Sequence, residues 1–324
     1  MRMYKLNKSK LFITVYGAIF FSLSIASGTA VAESNVPSVG QGFEISPPVV
    51  ELRGKPGETL STSINLRNTT KLPINAHAIT NDFTAKDNSG APGILVDGAD
   101  APDTGMRKWF SPVPDEIIQP FKLQNYRVLV SIPLNASPGG HYGVLRFTSA
   151  STGTNGGNGV SLTASVGTLF LVSVDGKTTH ALSMAGFHAL QGGKNMTWFQ
   201  KSGIDFIERL HNDGNVHEKP LGALIIMDIF HHKVAQIPVN IPPGNILPSS
   251  YREFSQHVGQ KLFGFYSAHL YISYANGREV EARSLNFAVL PTNFIIFVLV
   301  LLILIIIFFR RFQLTPRTAK QKRN

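Results

Sequence analysis

Residues 45–70 read ISPPVVELRGKPGETLSTSINLRNTT, and this stretch decides the fold. Ile45–Leu52 is rich in β-branched and apolar residues and reads as a strand. The following RGKPGE segment is a turn, punctuated by glycine and proline. Thr59–Arg67 then alternates, with Leu60, Ile64 and Leu66 on one face. A period of two places apolar side chains on one side of a strand, where a helix would space them three or four apart.

The same alternation extends in both directions. Tyr126, Val128, Val130 and Ile132 share one face of a strand. Val160, Leu162, Ala164 and Val166 alternate with Ser161, Thr163 and Ser165, in a strand predicted to run to about Val174 after a flexible STGTNGGNG loop (151–159). Beyond Asp175–Lys177, strands are predicted at Ile204–Leu210, Ala223–Phe230, Phe265–Tyr274 and Val280–Val289. Asn276-Gly277 supplies a short-hairpin signal between the last two. Many short alternating strands separated by turns predict an all-β chain: two tandem immunoglobulin-like β-sandwich domains, 42–175 and 178–290, followed by one transmembrane helix at 292–312. The halves share a plan. Each has an alternating strand ending in asparagine and a turn, INLRNTTKLPI and IERLHNDGNVHEKPL. Each also has Gly-x-Tyr at the start of a strong strand, Gly140-His141-Tyr142 and Gly264-Phe265-Tyr266. Both tyrosines are candidates for a corner that hydrogen-bonds back across the strand start, the alternative being ordinary half-buried tyrosines.

The two ends carry membrane signals. Phe294–Phe309 is an unbroken apolar run, about 24 Å long as a helix against a hydrocarbon core of ~30 Å. Thr292 and Asn293 before it and snorkelling Arg310 and Arg311 after it make up the difference. Its transfer favours insertion by roughly 5–10 kcal/mol. At the other end Arg2, Lys5, Lys8 and Lys10 precede an apolar stretch, Leu11–Ala26, and an Ala30-Val31-Ala32 cleavage site. Residues 1–32 thus read as a signal peptide with Glu33 as the mature N-terminus, an uncleaved anchor being the alternative. The formal charge of +10 lies wholly in these ends: four basic residues in the signal segment and six in Arg310–Arg323, with no acid in either. Residues 33–293 are neutral overall, so charge gives no support to a nucleic-acid partner. The basic tail, 313–324, puts the C-terminus in the cytoplasm and the ectodomain outside, as a single-pass type I protein of the cell membrane. Leu290-Pro291-Thr292-Asn293 resembles a sortase signal in layout, but threonine stands third and the glycine is missing. A permanent anchor is expected.

There are no cysteines, which excludes disulfides, thiolate metal sites and a cysteine nucleophile and suits a bacterial surface. The Asn-x-Ser/Thr triplets at Asn68, Asn135 and Asn195 are then incidental. The stretches 45–70, KWF with PFKLQNYRVLVSIPLNASPGGHYGVLRF, and HNDGNVHEKPLGALIIMDIF are similar to the WxL-interacting proteins of Gram-positive bacteria. That resemblance covers nearly the whole chain in layout. It implies an ectodomain that binds surface proteins, peptidoglycan or host ligands, and it transfers no individual binding residue. The first domain resembles, more distantly, the sandwiches of pilus chaperones.

Side chains that could carry chemistry are scattered. Eight of ten histidines lie in the second half: His180, His188, His211, His217, His231, His232, His257 and His269. His231 and His232 are adjacent and would face opposite sides of a strand; His211 and His217 flank a turn and could approach one another. Asp97, Asp100 and Asp103 share a loop but lack calcium-loop spacing. Neither G-x-S-x-G nor a phosphate-binding glycine loop occurs. Trp109 and Trp198, in KWF and TWF, suit either a core or a partner surface. The expected protein is no enzyme and has no cofactor or metal. It is a membrane-anchored surface protein that binds an envelope or extracellular protein or a cell-wall glycan. The alternative is a scaffold or chaperone that assembles secreted subunits.

Overall fold

The stretch that decides the fold forms three strands where two were predicted. Pro47 and Pro48 have no N–H to give to a ladder, so they interrupt Ile45–Leu52 and let the chain change sheets. The computed structural model describes residues 42–96, 102–150, 165–275 and 277–313. The signal segment, Asp97, Asp100, the loop 151–159 with Val160, Leu162 and Ala164, Asn276 and the tail from 314 lie outside the described residues.

The first half contains β1 (Phe43–Ser46), β2 (Val49–Gly54), β3 (Thr59–Asn68), β4 (Ile74–Ala85), β5 (Pro92–Leu95), β6 (Glu116–Ile118), β7 (Leu123–Ser131), β8 (Gly139–Ala150) and β9 (Ser165–Val174). One layer has the order β1-β3-β7 and the other β2-β9-β8-β4-β5, with β6 also on β4. β1 runs antiparallel to β3, with Ile45 opposite Leu66. After the prolines β2 runs parallel to β9 in the other layer, with Val50 opposite Phe170. Ile64, Leu66, Val128 and Val130 face Leu145, Phe147, Phe170 and Val172 in the core, each such side chain contributing about 1.5–3 kcal/mol by burial. Trp109 joins this core, its ring centroid 4.5 Å from that of His141.

The second half contains β10 (Leu182–Gln191), β11 (Lys194–Asn195), β12 (Trp198–Phe199), β13 (Ile204–Asn212), β14 (Leu221–Asp228), β15 (Lys233–Val239), β16 (Tyr251–Val258), β17 (Gly264–Tyr274) and β18 (Arg278–Val289). Its layers are β11-β10-β13-β16 and β12-β18-β17-β14-β15. A separate core holds Phe199, Phe206, Leu224, Ile226, Leu270 and Phe287. β14 ends at Asp228, so Ile229 and Phe230 belong to a turn rather than to the predicted strand. The Asp228 carboxylate ends it by accepting the N–H groups of Phe230 and His232. The described residues belong to a single compact unit.

The shared plan of the halves has a physical basis in two buried asparagines. Asn68 donates to the carbonyls of Leu72 and Ile118 and accepts the N–H of Thr70. Asn212 donates to Val216 and Ile246 and accepts from Gly214. In each half the amide closes the turn after the strand and ties it to a neighbouring segment. Asn68 is thereby sealed from solvent.

The helix α1 (Thr292–Gln313) follows almost directly on β18. Its Thr292–Arg311 segment is long and apolar enough to cross a membrane, and none of that segment is buried against the rest of the chain.

Candidate functional site

A cleft of about 490 Å³ lies where the outer face of the β2-β9-β8-β4 layer meets the loop between β15 and β16. Its floor follows from strand alternation. Phe170 and Val172 point into the first core, so Leu169 and Leu171 point outward beside Val49 of β2 and Phe83 of β4. Phe83, Tyr142, Val144 and Leu171 form a small apolar cluster, with Leu169 and Leu247 packed on it. Leu247 comes from the second half, so this cluster joins the two.

The rim is polar. Lys219 Nζ lies 2.7 Å from Glu51 Oε1, and Asn245 Nδ2 donates to the same oxygen at 2.8 Å. Burial works to raise the Glu51 carboxyl, but the bonds from Lys219 and Asn245 outweigh it and hold the group below its ordinary value. At the other end Arg252 Nη1 donates to the Asn245 carbonyl at 2.8 Å. Its guanidinium lies against Gly90 and Gly244, where a Cβ on either glycine would collide with it. Among the described residues no carboxylate pairs with Arg252, and its Nε is buried without a partner. Desolvation holds the Arg252 pKa below its ordinary value. The cleft thus combines an aliphatic floor, one neutralised ion pair and one guanidinium without a counter-ion. The hydroxyl of Ser250, which also lines the cleft, donates to Leu247 O. These are disposed for binding a chain with apolar side chains and a carboxylate.

Around the cleft, main-chain bonds fix one half against the other. Glu253 N–H donates to Asn88 O at 2.6 Å, and Gly140 N–H to Asn215 O at 2.8 Å. Asn215 adds side-chain bonds to Thr179 N, Pro138 O and Lys177 O. The sequence placed Asn215 only in a turn; its role at the joint depends on a partner 77 residues away.

The residues singled out from sequence have separate fates. Tyr266 is a corner: its hydroxyl accepts Phe263 N–H and donates to Phe263 O, both at 3.0 Å. Tyr142 is not. It is buried with its ring edge-on to His217, and its hydroxyl folds over Gly140. The second half supplies the environment that a corner would otherwise provide. Burial pushes His217 down to about 4. His211 bonds Asp213 and stacks on Tyr251, so it and His217 have different partners. His180, His232 and His257 each meet an acid, Glu218, Asp228 and Asp205. Among the described residues no three His, Asp or Glu side chains converge as a metal site requires. Asp103 is exposed. Trp198 is half exposed and donates from Nε1 to Leu290 O at 3.0 Å.

No protein-family model matches the chain, and no curated protein matches it. Among solved structures it is similar to the class 5 fimbriae chaperone CfaA, at 15% identity over 76% of this chain and 100% of that one, with a TM-score of 0.39. It is similar to the CupB2 chaperone of Pseudomonas aeruginosa, at 10% identity over 76% and 100%, with a TM-score of 0.36. A third likeness is to the CsuC–CsuE chaperone–tip adhesion subunit complex of Acinetobacter baumannii, at 12% identity over 66% and 90%, with a TM-score of 0.34. Likenesses this distant carry neither a family nor a ligand to this chain.

Proposed function

We propose that the chain is a single-pass membrane protein whose ectodomain, organised as two sandwich domains, 42–175 and 178–290, binds an envelope or extracellular protein in the cleft between them. In this reading the signal peptide is removed, α1 spans the cell membrane and the basic tail is cytoplasmic. The observation that carries it is the cleft itself, with aliphatic residues below and the Arg252 guanidinium unmatched by any carboxylate among the described residues. A polypeptide supplies both complements, apolar side chains and a carboxylate. A cell-wall glycan, dense in hydroxyls, suits the floor of Val49, Leu169 and Leu171 less well.

A second reading, a scaffold that assembles secreted subunits, is favoured by one feature of β9. β2 begins opposite Leu169 and the Thr168 hydroxyl bonds Pro47 O, so among the described residues Ser165–Gly167 of β9 pair with β8 alone, with no strand on the β2 side. An open edge accepts a strand from another chain through main-chain bonds.

A photo-crosslinking amino acid at Val49, in the full chain on intact cells, tests the cleft. A discrete protein adduct is expected, and Arg252→Glu should lower its yield by roughly tenfold or more, since a charge-assisted hydrogen bond contributes about 1.5–3 kcal/mol. Adducts confined to glycan, or indifferent to Arg252→Glu, would refute the reading. Pulse–chase separates the two functions: a scaffold releases its adduct partner with time, whereas a surface binder keeps it.

A further inference from the structure

The end of the second sandwich from which α1 departs gathers exposed apolar side chains. Strand register defines that end. Trp198 of β12 and Phe265 of β17 both lie opposite Ala288 of β18, and Asp228 at the end of β14 lies opposite Tyr266. The β14–β15 turn therefore projects from the same end as the root of the helix. This end exposes large apolar side chains: Phe230 is 70% accessible, Ile229 63%, Phe265 59%, Phe263 56% and Trp198 46%. Such groups in one place on a soluble sandwich mark a docking surface.

We infer that this end docks onto the interfacial layer of the same phospholipid bilayer that α1 enters, with the aromatic side chains at headgroup level. The inference rests on the reading of α1 as a membrane span. Four observations point to lipid rather than to a protein. Ala288 stands four residues before Thr292, so this row is within roughly 14 Å of the helix start along the chain. The apolar run Phe294–Phe309, about 24 Å long, is short of a ~30 Å core, which draws the flanking apolar groups down to the interface. Phe263 is fixed by the Tyr266 corner and packs edge-on against Phe294, the first residue of that run, at 4.9 Å. Trp198 donates its indole N–H to Leu290 O beside the helix root, and indole and phenyl rings are the side chains that populate the membrane–water interface. The charge is also suitable: Lys201, Lys233 and Lys261 are exposed around this end, where Asp228 is the sole acid of the segments 196–202, 228–233 and 258–266.

The Ile229-Phe230 tip is held ready for insertion. Asp228 fastens the turn by accepting Phe230 and His232 N–H groups at 2.8 and 2.9 Å, and His231 takes the left-handed conformation, φ 62°. The tip joins β14 to β15 and is separated from β18 by β17, so its immersion requires the whole end to be seated and does not follow from tethering alone.

The test uses the full chain in vesicles of phosphatidylcholine and phosphatidylglycerol brominated near the top of the acyl chains. Two tryptophans are present and Trp109 is buried in the first core, so Trp198→Phe isolates the Trp198 signal by difference. Phe230→Trp in that background reports on the tip. Each reporter is expected to lose half or more of its fluorescence in brominated vesicles. Quenching at Trp198 without quenching at Phe230→Trp would overturn the seated surface, and so would quenching at neither in a chain that resists alkaline extraction. Loss of alkali-resistant association would overturn the span itself, and with it this surface.

Discussion

Glu208 is a carboxyl buried in the second half at a cost. In β13 the side chains of Ile204, Phe206, Glu208 and Leu210 all face the second core, and both Glu208 carboxyl oxygens are buried without a hydrogen-bond partner. Desolvation pushes its pKa up from an ordinary value near 4.5 to about 8. Below the ordinary value both folded and unfolded chains hold the proton, and the group costs nothing in charge. Between that value and the folded pKa the unfolded chain ionises and the folded one does not, so stability falls as pH rises. The full loss across this window is roughly 4–5 kcal/mol. Glu208→Gln keeps the shape and cannot ionise. Its melting temperature should exceed that of the parent at pH 8, match it more closely at pH 4.5, and vary less between them. A parallel pair of pH profiles would show that Glu208 is solvated in solution. Ile204, Phe206 and Leu210 share one face of the strand, and period-two alternation puts Glu208 on it with them; which groups surround the carboxyl is a tertiary fact.

At the scale of elements, local signals were legible wherever a single strand or turn sets the outcome. The asparagine-ended strands are such a case, because Asn68 and Asn212 serve mainly the turns that follow them. Asn212→Ala takes the side-chain partner from the Val216 carbonyl and the Gly214 N–H and leaves the Ile246 carbonyl with the Glu218 N–H alone. Asn68→Ala likewise removes the bonds to Ile118 O and Thr70 N–H and leaves Leu72 O with the Thr70 hydroxyl. Each should cost about 2–4 kcal/mol, read as a lower denaturation midpoint with unchanged slope. A loss under half a kcal/mol for both would mean that water replaces the amide. Gly-x-Tyr was legible in one half only. The two motifs are equivalent locally, yet Tyr266 meets the backbone of Phe263 whereas Tyr142 meets His217 of the other half. Tyr266→Phe should therefore destabilise more than Tyr142→Phe, whose hydroxyl lies 3.5 Å from His217 Nδ1 at the limit of a hydrogen bond. The break at Pro47-Pro48 was visible as residues, but which sheet β2 would join was not. Its parallel partner β9 lies more than a hundred residues on.

At the scale of the whole molecule, the β-rich body and the apolar helix were legible in the sequence but the joint was not, because its hydrogen bonds link segments far apart in the chain. Asn215 concentrates them: its amide receives Thr179 N–H and donates to Pro138 O and Lys177 O, while its own carbonyl takes Gly140 N–H. Asn215→Ala removes the three side-chain bonds and leaves the main-chain one. The apolar cluster of Tyr142, Val144, Leu171 and Leu247 and the Glu51–Lys219 pair should keep the halves together, but with a wider range of angles. Spin labels at exposed Lys122 and Lys261, one in each half, should give a broader distance distribution in Asn215→Ala than in the parent, at the same β-sheet signal by circular dichroism. Because the cleft is formed by both halves, its shape depends on that angle. Crosslinking from Val49 should then fall in Asn215→Ala although the substitution touches no residue lining the cleft. An unchanged distance distribution would place the rigidity of the joint in the cluster and the Glu51 pair, and combining Asn215→Ala with Glu51→Gln should then loosen it.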